Sequence, residues 1–243
     1  MAWWFQVVQV IESVPCNSIA FADGEKMASG GNDHTVRLWK LVRSYGVPLR
    51  ITVSHVLRGH REPVICLAAS RTWSIVVSGS KDGSAIIWDL NRGTYVASIW
   101  HGDDEQHEVH LVAINESTVC FPSCAALDAH SYHPKGDIAT CSRDKLCLHT
   151  VNARRITELQ LRSTSILPSV TSLAFLEREY TAQGILATAN SDGTITLRTW
   201  NTDDTPAREK AQWKFRILRE LIVRKAGAGR GRDIQITALK FIG

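Results

Sequence analysis

Three side chains in the first half of the chain could form a hydrolytic triad. In such a triad a carboxylate orients an imidazole that activates a hydroxyl, and His60, Ser78 and Asp82 are the residue types required. No nucleophile elbow accompanies Ser78. With Trp88, the same residues suit a different arrangement, in which Asp82 orients His60, His60 contacts Ser78, and Ser78 contacts the indole N–H. Because their spacing is that of a repeat in the chain, we interpret the four residues as a structural network.

A second group of side chains has the residue types of a zinc site. Its members are His101, His107, His110, Cys120 and Cys124. Structural zinc sites favour cysteine pairs with two to four intervening residues combined with histidine pairs with three to five. His107 and His110 have only two residues between them. No phosphate-binding glycine loop, HExxH or GxSxG motif occurs. The sequence therefore predicts no metal, no cofactor and no catalytic residue.

Four segments share a pattern of a short strand, a turn built on Asp or Gly, and a second alternating strand. Three of them begin at Met27, Val76 and Leu186, and a weaker copy begins at Ile138. The turn aspartates of the four copies are Asp33, Asp82, Asp144 and Asp192. In the first two copies the second strand carries a tryptophan, which is Trp39 or Trp88.

Further strand-like runs flank every copy. The preceding runs are residues 15–22, 63–70, 108–115 and 169–176. The following runs are residues 50–57, 94–100, 155–161 and 212–221. Four strands per unit, repeated four times, predict an all-β propeller of the WD40 type with four recognisable blades. An incomplete blade shared between the termini would add residues 6–11 as an outer strand and 235–242 as an inner one.

The spacing of the turn aspartates identifies one irregular interval. Asp33 and Asp82 are 49 residues apart, Asp82 and Asp144 are 62 apart, and Asp144 and Asp192 are 48 apart. WD40 repeats recur about every 40–45 residues plus loops. Removing the 17 residues 119–135 would reduce the long interval to 45. We therefore predict that residues 1–243 form one WD40 propeller fragment with an inserted segment at 119–135.

The first and third units depart from the network of the second. Unit one has Asp33 and Trp39 but no Gly-His pair before its first strand. In unit three, counting back from the turn aspartate predicts Glu105 where the second unit has its histidine. His149 or Thr150 replaces the tryptophan of that unit.

The fourth unit departs from the network at the tryptophan position. Arg198 occupies that position, and Trp200 follows two residues later. Degenerate units of this kind weaken the repeat pattern without removing it.

Composition and charge narrow the classes of function. The chain has 44% hydrophobic residues, a formal net charge of +4 and a pI near 8.8, which is too mildly basic for a dedicated nucleic-acid binder. None of the six cysteines belongs to a CxxC pair, which favours a reducing cytoplasm. No apolar run reaches the roughly 18 residues of a membrane span. These features predict a cytoplasmic protein.

The basic residues concentrate near the end of the chain. Residues 208–232 contain nine lysines and arginines, and the last part of the segment is rich in glycine. We interpret the segment as a solvated loop between strands. The alternative is a weak contact with anionic membrane lipids, worth at most about 1 kcal/mol per basic residue.

A resemblance to a known family is carried by four segments, residues 77–92, 136–142, 149–153 and 236–241. Their amino-acid sequences resemble the C-terminal WD40 region of BEACH-domain proteins, and most of all the fungal beige-like members. The resemblance implies a non-enzymatic scaffold that binds proteins or peptides on the propeller surface. It further implies a role in vesicle traffic or autophagy, a BEACH domain upstream, and a peripheral position on endomembranes. The alternative is a free-standing WD40 adaptor, such as the substrate receptor of a ubiquitin ligase.

Overall fold

The computed structural model describes residues 15–44, 47–101, 108–116, 136–143, 145–161, 169–176, 184–202 and 213–222, together with Ile236 and Leu239. These residues form four antiparallel sheets of four strands each, with the strands of every sheet in chain order. The all-β propeller with four recognisable blades is thereby confirmed. No helix able to span a membrane occurs in the part of the chain that is described.

The strands have the following bounds. The first sheet contains β1 (Cys16–Phe21), β2 (Lys26–Gly31), β3 (Thr35–Ser44) and β4 (Val47–Arg58). The second contains β5 (Val64–Ser70), β6 (Ile75–Ser80), β7 (Ser84–Asp89) and β8 (Tyr95–Trp100). The third contains β9 (Leu111–Ile114), β10 (Ile138–Cys141), β11 (Lys145–His149) and β12 (Arg155–Gln160). The fourth contains β13 (Val170–Leu176), β14 (Ile185–Asn190), β15 (Thr194–Thr202) and β16 (Trp213–Ile222).

Most strands agree with the predicted runs to within a residue or two, but the outer hairpin of the first sheet is longer. β3 continues to Ser44 and pairs with β4 from Val47 onward, because the alternation of buried and exposed residues continues through Leu41 and Val42. Strand β16 also lies inside the basic segment 208–232. The prediction of a solvated loop there is therefore wrong for residues 213–222.

The apolar core lies between consecutive sheets. Ala28, Leu38 and Leu57 of the first sheet pack against Val76 and Trp88 of the second. Equivalent clusters fill the space between the second and third sheets and between the third and fourth. In the second and third sheets one face therefore contacts the sheet before, and the opposite face contacts the sheet after.

A repeated contact joins the first strands of neighbouring sheets. Asn17 Nδ2 donates to the Val64 carbonyl at 2.9 Å, and Cys66 Sγ donates to the Val109 carbonyl at 3.2 Å. In the next two joints, His110 Nε2 lies 3.3 Å from the Val170 carbonyl oxygen, and Thr171 Oγ1 donates to the carbonyl of Ile236. Ile236 thus occupies the position at which each of the other first strands begins.

That last contact bears on the incomplete blade. Leu239 N also donates to Ser172 Oγ at 3.0 Å, so both described residues of the predicted inner strand 235–242 lie beside β13. Their position agrees with a fifth blade that begins there. The predicted outer strand 6–11 lies outside the described residues.

The suspected insertion 119–135 also lies outside the described residues, but its flanks do not. Asn115 N donates to the Asp137 carbonyl at 2.8 Å, and Ile114 pairs with Ile138. The strands on either side therefore pair directly, as they would across a short turn. The insertion remains a prediction.

Gly79 lies where the second sheet approaches Val109 of the third unit closely. A Cβ at this position would lie 2.5 Å from Cys66 Sγ and 2.8 Å from the backbone oxygen of Val109. The β5–β6 pairing limits how far either neighbour can move. Gly24, by contrast, has no atom within 4 Å of such a Cβ.

We predict that Gly79→Ala lowers the free energy of unfolding by about 1–3 kcal/mol, because the methyl group overpacks the joint between the sheets. Gly24→Ala is the matched control and should change it by about 0.5 kcal/mol or less. Urea denaturation followed by tryptophan fluorescence measures both. Equal stability of the two variants would contradict this account of the joint.

Candidate functional site

The four residues predicted to form a network come together in the second sheet. His60 precedes β5, Ser78 lies on β6, Asp82 lies in the β6–β7 turn and Trp88 lies on β7. His60 Nδ1 is 3.2 Å from Asp82 Oδ2, and His60 Nε2 is 2.7 Å from Ser78 Oγ. Trp88 Nε1 donates to the same Ser78 Oγ at 2.8 Å. The contacts form a chain from carboxylate to imidazole, hydroxyl and indole.

Asp82 accepts more hydrogen bonds than the His60 contact alone. The backbone amides of Arg61 and Ser84 donate to it at 2.9 Å each, and Ser84 Oγ donates to it at 2.6 Å. Burial opposes ionisation of the carboxyl group, but these donors and His60 outweigh burial and hold the pKa of Asp82 well below its usual range. Asp82 is therefore a carboxylate at neutral pH.

The same contacts argue against a nucleophilic serine. Ser78 is fully buried, at 0% exposure, and the Trp88 indole donates directly to its oxygen. If Nδ1 of His60 donates to Asp82, Nε2 accepts the Ser78 proton, so the hydroxyl has partners on both sides. A substrate could reach Ser78 Oγ only if the sheet opened.

The first sheet contains a related network in which an arginine contacts the turn aspartate. Trp39 Nε1 donates to Ser29 Oγ at 2.8 Å, as Trp88 does to Ser78. Arg37 Nη2 donates to Asp33 Oδ2 at 2.6 Å, and Asp33 also accepts from Thr35 Oγ1 at 2.9 Å. Burial raises the pKa of Asp33, but the bonds from Arg37 and Thr35 reverse that effect and leave it lowered. Arg37 thus supplies the contact to the turn aspartate that His60 supplies in the second sheet.

In the third sheet the counterpart of His60 is His101, whereas the spacing in the sequence predicted Glu105. His101 Nε2 lies 2.7 Å from Thr140 Oγ1, so His101 contacts the second strand as His60 contacts Ser78. Glu105, the predicted counterpart, lies outside the described residues. Counting back from the turn aspartate failed because the loop after β8 is longer than the loop after β4. The position of His101 directly after the outer strand β8 is the signal in the sequence that could have identified this residue.

The other positions of the third network are only partly described. His149 pairs with Ile138 and takes the tryptophan position, whereas Thr150 lies beyond the strand. Burial, together with the positive charge of Arg155, lowers the pKa of His149 to about 4, so its imidazole is neutral at physiological pH. Asp144 lies outside the described residues.

In the fourth sheet an arginine replaces the indole donor. Arg198 pairs with Leu186 at the tryptophan position, and its Nη1 donates to Thr188 Oγ1. Burial lowers the pKa of this guanidinium. Asp192 accepts from the amide and the hydroxyl of Thr194 at 2.8 and 2.7 Å. The turn of the second sheet therefore recurs in the fourth without its histidine.

The residues considered for zinc have other contacts where they are described. His101 contacts Thr140, and His110 contacts the Val170 carbonyl. His107, Cys120 and Cys124 lie outside the described residues. Within the described ranges, no group of three or more His, Cys, Asp or Glu side chains could hold a metal ion.

The class of protein follows from these repeats. The WD domain, G-beta repeat family matches residues 7–40 and 51–89, which contain most of the first sheet and the first three strands of the second. A crystal structure of the computationally designed Ika4 protein has a TM-score of 0.53 and 17% identity, covering 81% of this chain and 98% of that one. This second likeness concerns the fold alone. WD40 repeats are thus recognised in the sequence of the first two sheets.

The curated relatives make the assignment narrower. The chain is 29% identical over 181 residues, 73% of its length, to WD repeat- and FYVE domain-containing protein 4 of Homo sapiens. It is 35% identical over 89 residues, 37% of its length, to Beige protein homolog 1 of Schizosaccharomyces pombe, and 27% identical over 124 residues, 51% of its length, to BEACH domain-containing protein lvsE of Dictyostelium discoideum. These matches cover 5%, 3% and 6% of the relatives' own lengths. The chain is thus similar in sequence to short stretches of WD-repeat, beige and BEACH-domain proteins.

We predict that Asp82→Ala lowers the free energy of unfolding by about 1–3 kcal/mol, because it leaves His60 and the Arg61 amide without their acceptor. Asp192→Ala is the matched control. It removes the equivalent turn carboxylate where there is no histidine, and it should cost about 0.5 kcal/mol or less. Thermal unfolding at neutral pH measures both variants. An equally stable Asp82→Ala protein that had lost a hydrolytic activity would contradict the structural role.

The pH dependence of the free energy of unfolding provides a second test of the role of Asp82. Since folding lowers the pKa of Asp82, its stabilising effect is complete above the unfolded value of about 4 and declines as the pH falls below it. The stability difference between wild type and Asp82→Ala should therefore shrink in acid. A difference that stays constant down to about pH 2 would show that the charge of Asp82 plays no part.

Proposed function

We propose that this chain is a non-enzymatic docking scaffold, the WD40 region of a BEACH-family protein acting in vesicle traffic or autophagy. The observation that carries the proposal is that the polar side chains of the site form hydrogen bonds with one another. Ser78, His60 and Asp82, the side chains that could do hydrolytic chemistry, contact one another and Trp88 within the buried part of the second sheet. The network therefore stabilises a rigid blade, and binding is left to the exposed surface.

The relatives support the cellular context. Their names refer to WD repeats, to beige and to the BEACH domain, and this chain matches only a small part of each protein. In the proposal, a BEACH domain precedes the propeller in the whole protein, and proteins or peptides bind on the propeller surface. The protein is cytoplasmic and lies peripherally on endomembranes, and residues 208–232 supply a contact with anionic lipid.

The proposal treats residues 1–243 as one propeller unit with an insertion at 119–135. Direct pairing of β9 with β10 supports this, because the strands on either side of the segment are neighbours in one sheet. In this proposal Asp33 with Trp39 stabilises the turn of the first blade and Asp192 that of the fourth; the same role is assigned to Asp144, which lies outside the described residues.

We expect the transcript upstream of the Met1 codon to encode a BEACH domain in the same reading frame. Sequencing of full-length cDNA tests this directly. An independent start of transcription there, with ubiquitin-ligase subunits recovered with the tagged protein, would contradict the proposal and favour a free-standing adaptor. Recovery of the tagged protein with endomembrane fractions is the expected companion result.

A further inference from the structure

Strand β8 forms the outer edge of the second sheet. Apart from β7, no described residue forms a backbone hydrogen bond with it. The first and third sheets flank the second, and both are described. Even so, Tyr95, Val96 and Trp100 are 57%, 43% and 58% exposed. The neighbouring sheets therefore leave the edge of β8 uncovered.

The composition of β8 differs from that of the other outer strands. An edge strand presents unpaired N–H and C=O groups, and charged side chains commonly prevent another strand from pairing with it. None of the six residues of β8 is charged. Each of the other outer strands has at least one charged residue at the six matching positions, namely Arg58 on β4, Arg155 and Glu158 on β12, and Arg219 and Glu220 on β16. β8 lacks this protection.

The side chains of β8 divide between the two faces of the sheet. Ala97 and Ile99 pack into the cluster between the second and third sheets. Ser98 and Trp100 lie on the opposite face. The register against β7 shifts just before Ala97, which makes Val96 the extra residue of a bulge. The strand is therefore regular from Ala97 to Trp100.

Two copies of β8 can pair antiparallel about a two-fold axis that passes through Ser98. Directly opposite residues in such a pair lie on the same face, so the register must keep each face together. This register places Ser98 opposite its own copy and Ala97 opposite Ile99. Trp100 then lies opposite Val96, which is a favourable pairing of an aromatic with a β-branched residue. No charged side chain of either strand opposes another.

The central position distinguishes β8 from the other outer strands, because a two-fold axis brings identical side chains together there. On β12 and β16 the equivalents of Ser98 are Glu158 and Glu220, so two carboxylates would oppose each other. On β4 the equivalent is Val56, but Arg58 follows two residues later at the same edge. The small and neutral Ser98 meets neither obstacle.

We propose that this chain forms a two-fold dimer in which the β8 edges of two copies pair, so that the two second sheets become one continuous sheet. The inference goes beyond the proposed scaffold function, because the partner is a second copy of the chain. An edge of this length buries less surface than a permanent dimer does. The dimer is therefore reversible, and Trp100 is exposed again whenever the copies separate.

Sedimentation velocity of the 243-residue chain at increasing concentration tests the proposal. We expect a reversible equilibrium between monomer and dimer. Ser98→Glu should raise the dissociation constant of the dimer roughly tenfold or more, because two carboxylates would meet at the two-fold axis. The variant should fold, since Glu158 and Glu220 already occupy this position on β12 and β16, and thermal unfolding checks this. Val56→Glu is the matched control on β4 and should leave the dissociation constant unchanged.

Disulfide cross-linking measures the register itself. In the proposed pairing the Cα atoms of Ser98 and its copy lie about 4.5–5.5 Å apart, which is within the span of a disulfide. Ser98→Cys should therefore form a covalent dimer under mild oxidation. It should do so faster than Val56→Cys and faster than the wild type, which contains cysteines of its own.

A wild-type chain that stays monomeric overturns the proposal. Slow amide exchange along β8 in that monomer would mean that another segment of the chain covers the edge, and fast exchange would leave the edge to a strand from a different protein. The proposal also fails if Val56→Glu dissociates the dimer as much as Ser98→Glu does, or if Val56→Cys cross-links as fast as Ser98→Cys. Either result would place the association at a surface other than β8.

Discussion

The hydrogen bond from a third-strand side chain to a second-strand hydroxyl is the interaction on which the first, second and fourth blades depend. Trp39 donates to Ser29, Trp88 donates to Ser78, and in the fourth sheet a guanidinium donates to a threonine instead. The hydroxyl lies in the middle strands, where neighbouring sheets exclude water. An unpaired polar group at that position would cost about 1–3 kcal/mol. Close packing around the fully buried Ser78 and Thr188 therefore requires that this bond be made.

In the third and fourth sheets a different side chain stands at the strand position that tryptophan occupies in the first two. Arg198 occupies the tryptophan position and still reaches Thr188, but its guanidinium is buried, and burial lowers its pKa. His149 occupies the same position in the third sheet with a smaller ring that is neutral at physiological pH. The third and fourth blades thus retain the backbone pattern of the repeat with weaker versions of the network, which explains why the repeat fades along the sequence.

The sequence was sufficient for features set by local chemistry. The Asp-x-Ser/Thr turn needs only residues two apart, so Asp33, Asp82 and Asp192 could be assigned from spacing, and alternation predicted most strand positions. Contacts between distant elements were harder to predict. His101 was missed because the path of a long loop decides which residue reaches Thr140, and Arg37 was missed because it reaches back from β3 to Asp33. Likewise, only the strand register shows that Arg216, Arg219 and Leu221 lie on one side of β16.

The most direct test of the structural role of the network is hydrogen exchange of the tryptophan indole protons, measured by NMR on the folded chain. The account predicts slow exchange for Trp88 and Trp39, whose indoles are buried and bonded to Ser78 and Ser29. Trp100, which is 58% exposed on β8, should exchange fast and serves as the internal reference. Exchange of the Trp88 indole as fast as that of Trp100 would show that the site opens readily to water, and would contradict the claim that these side chains are a structural network.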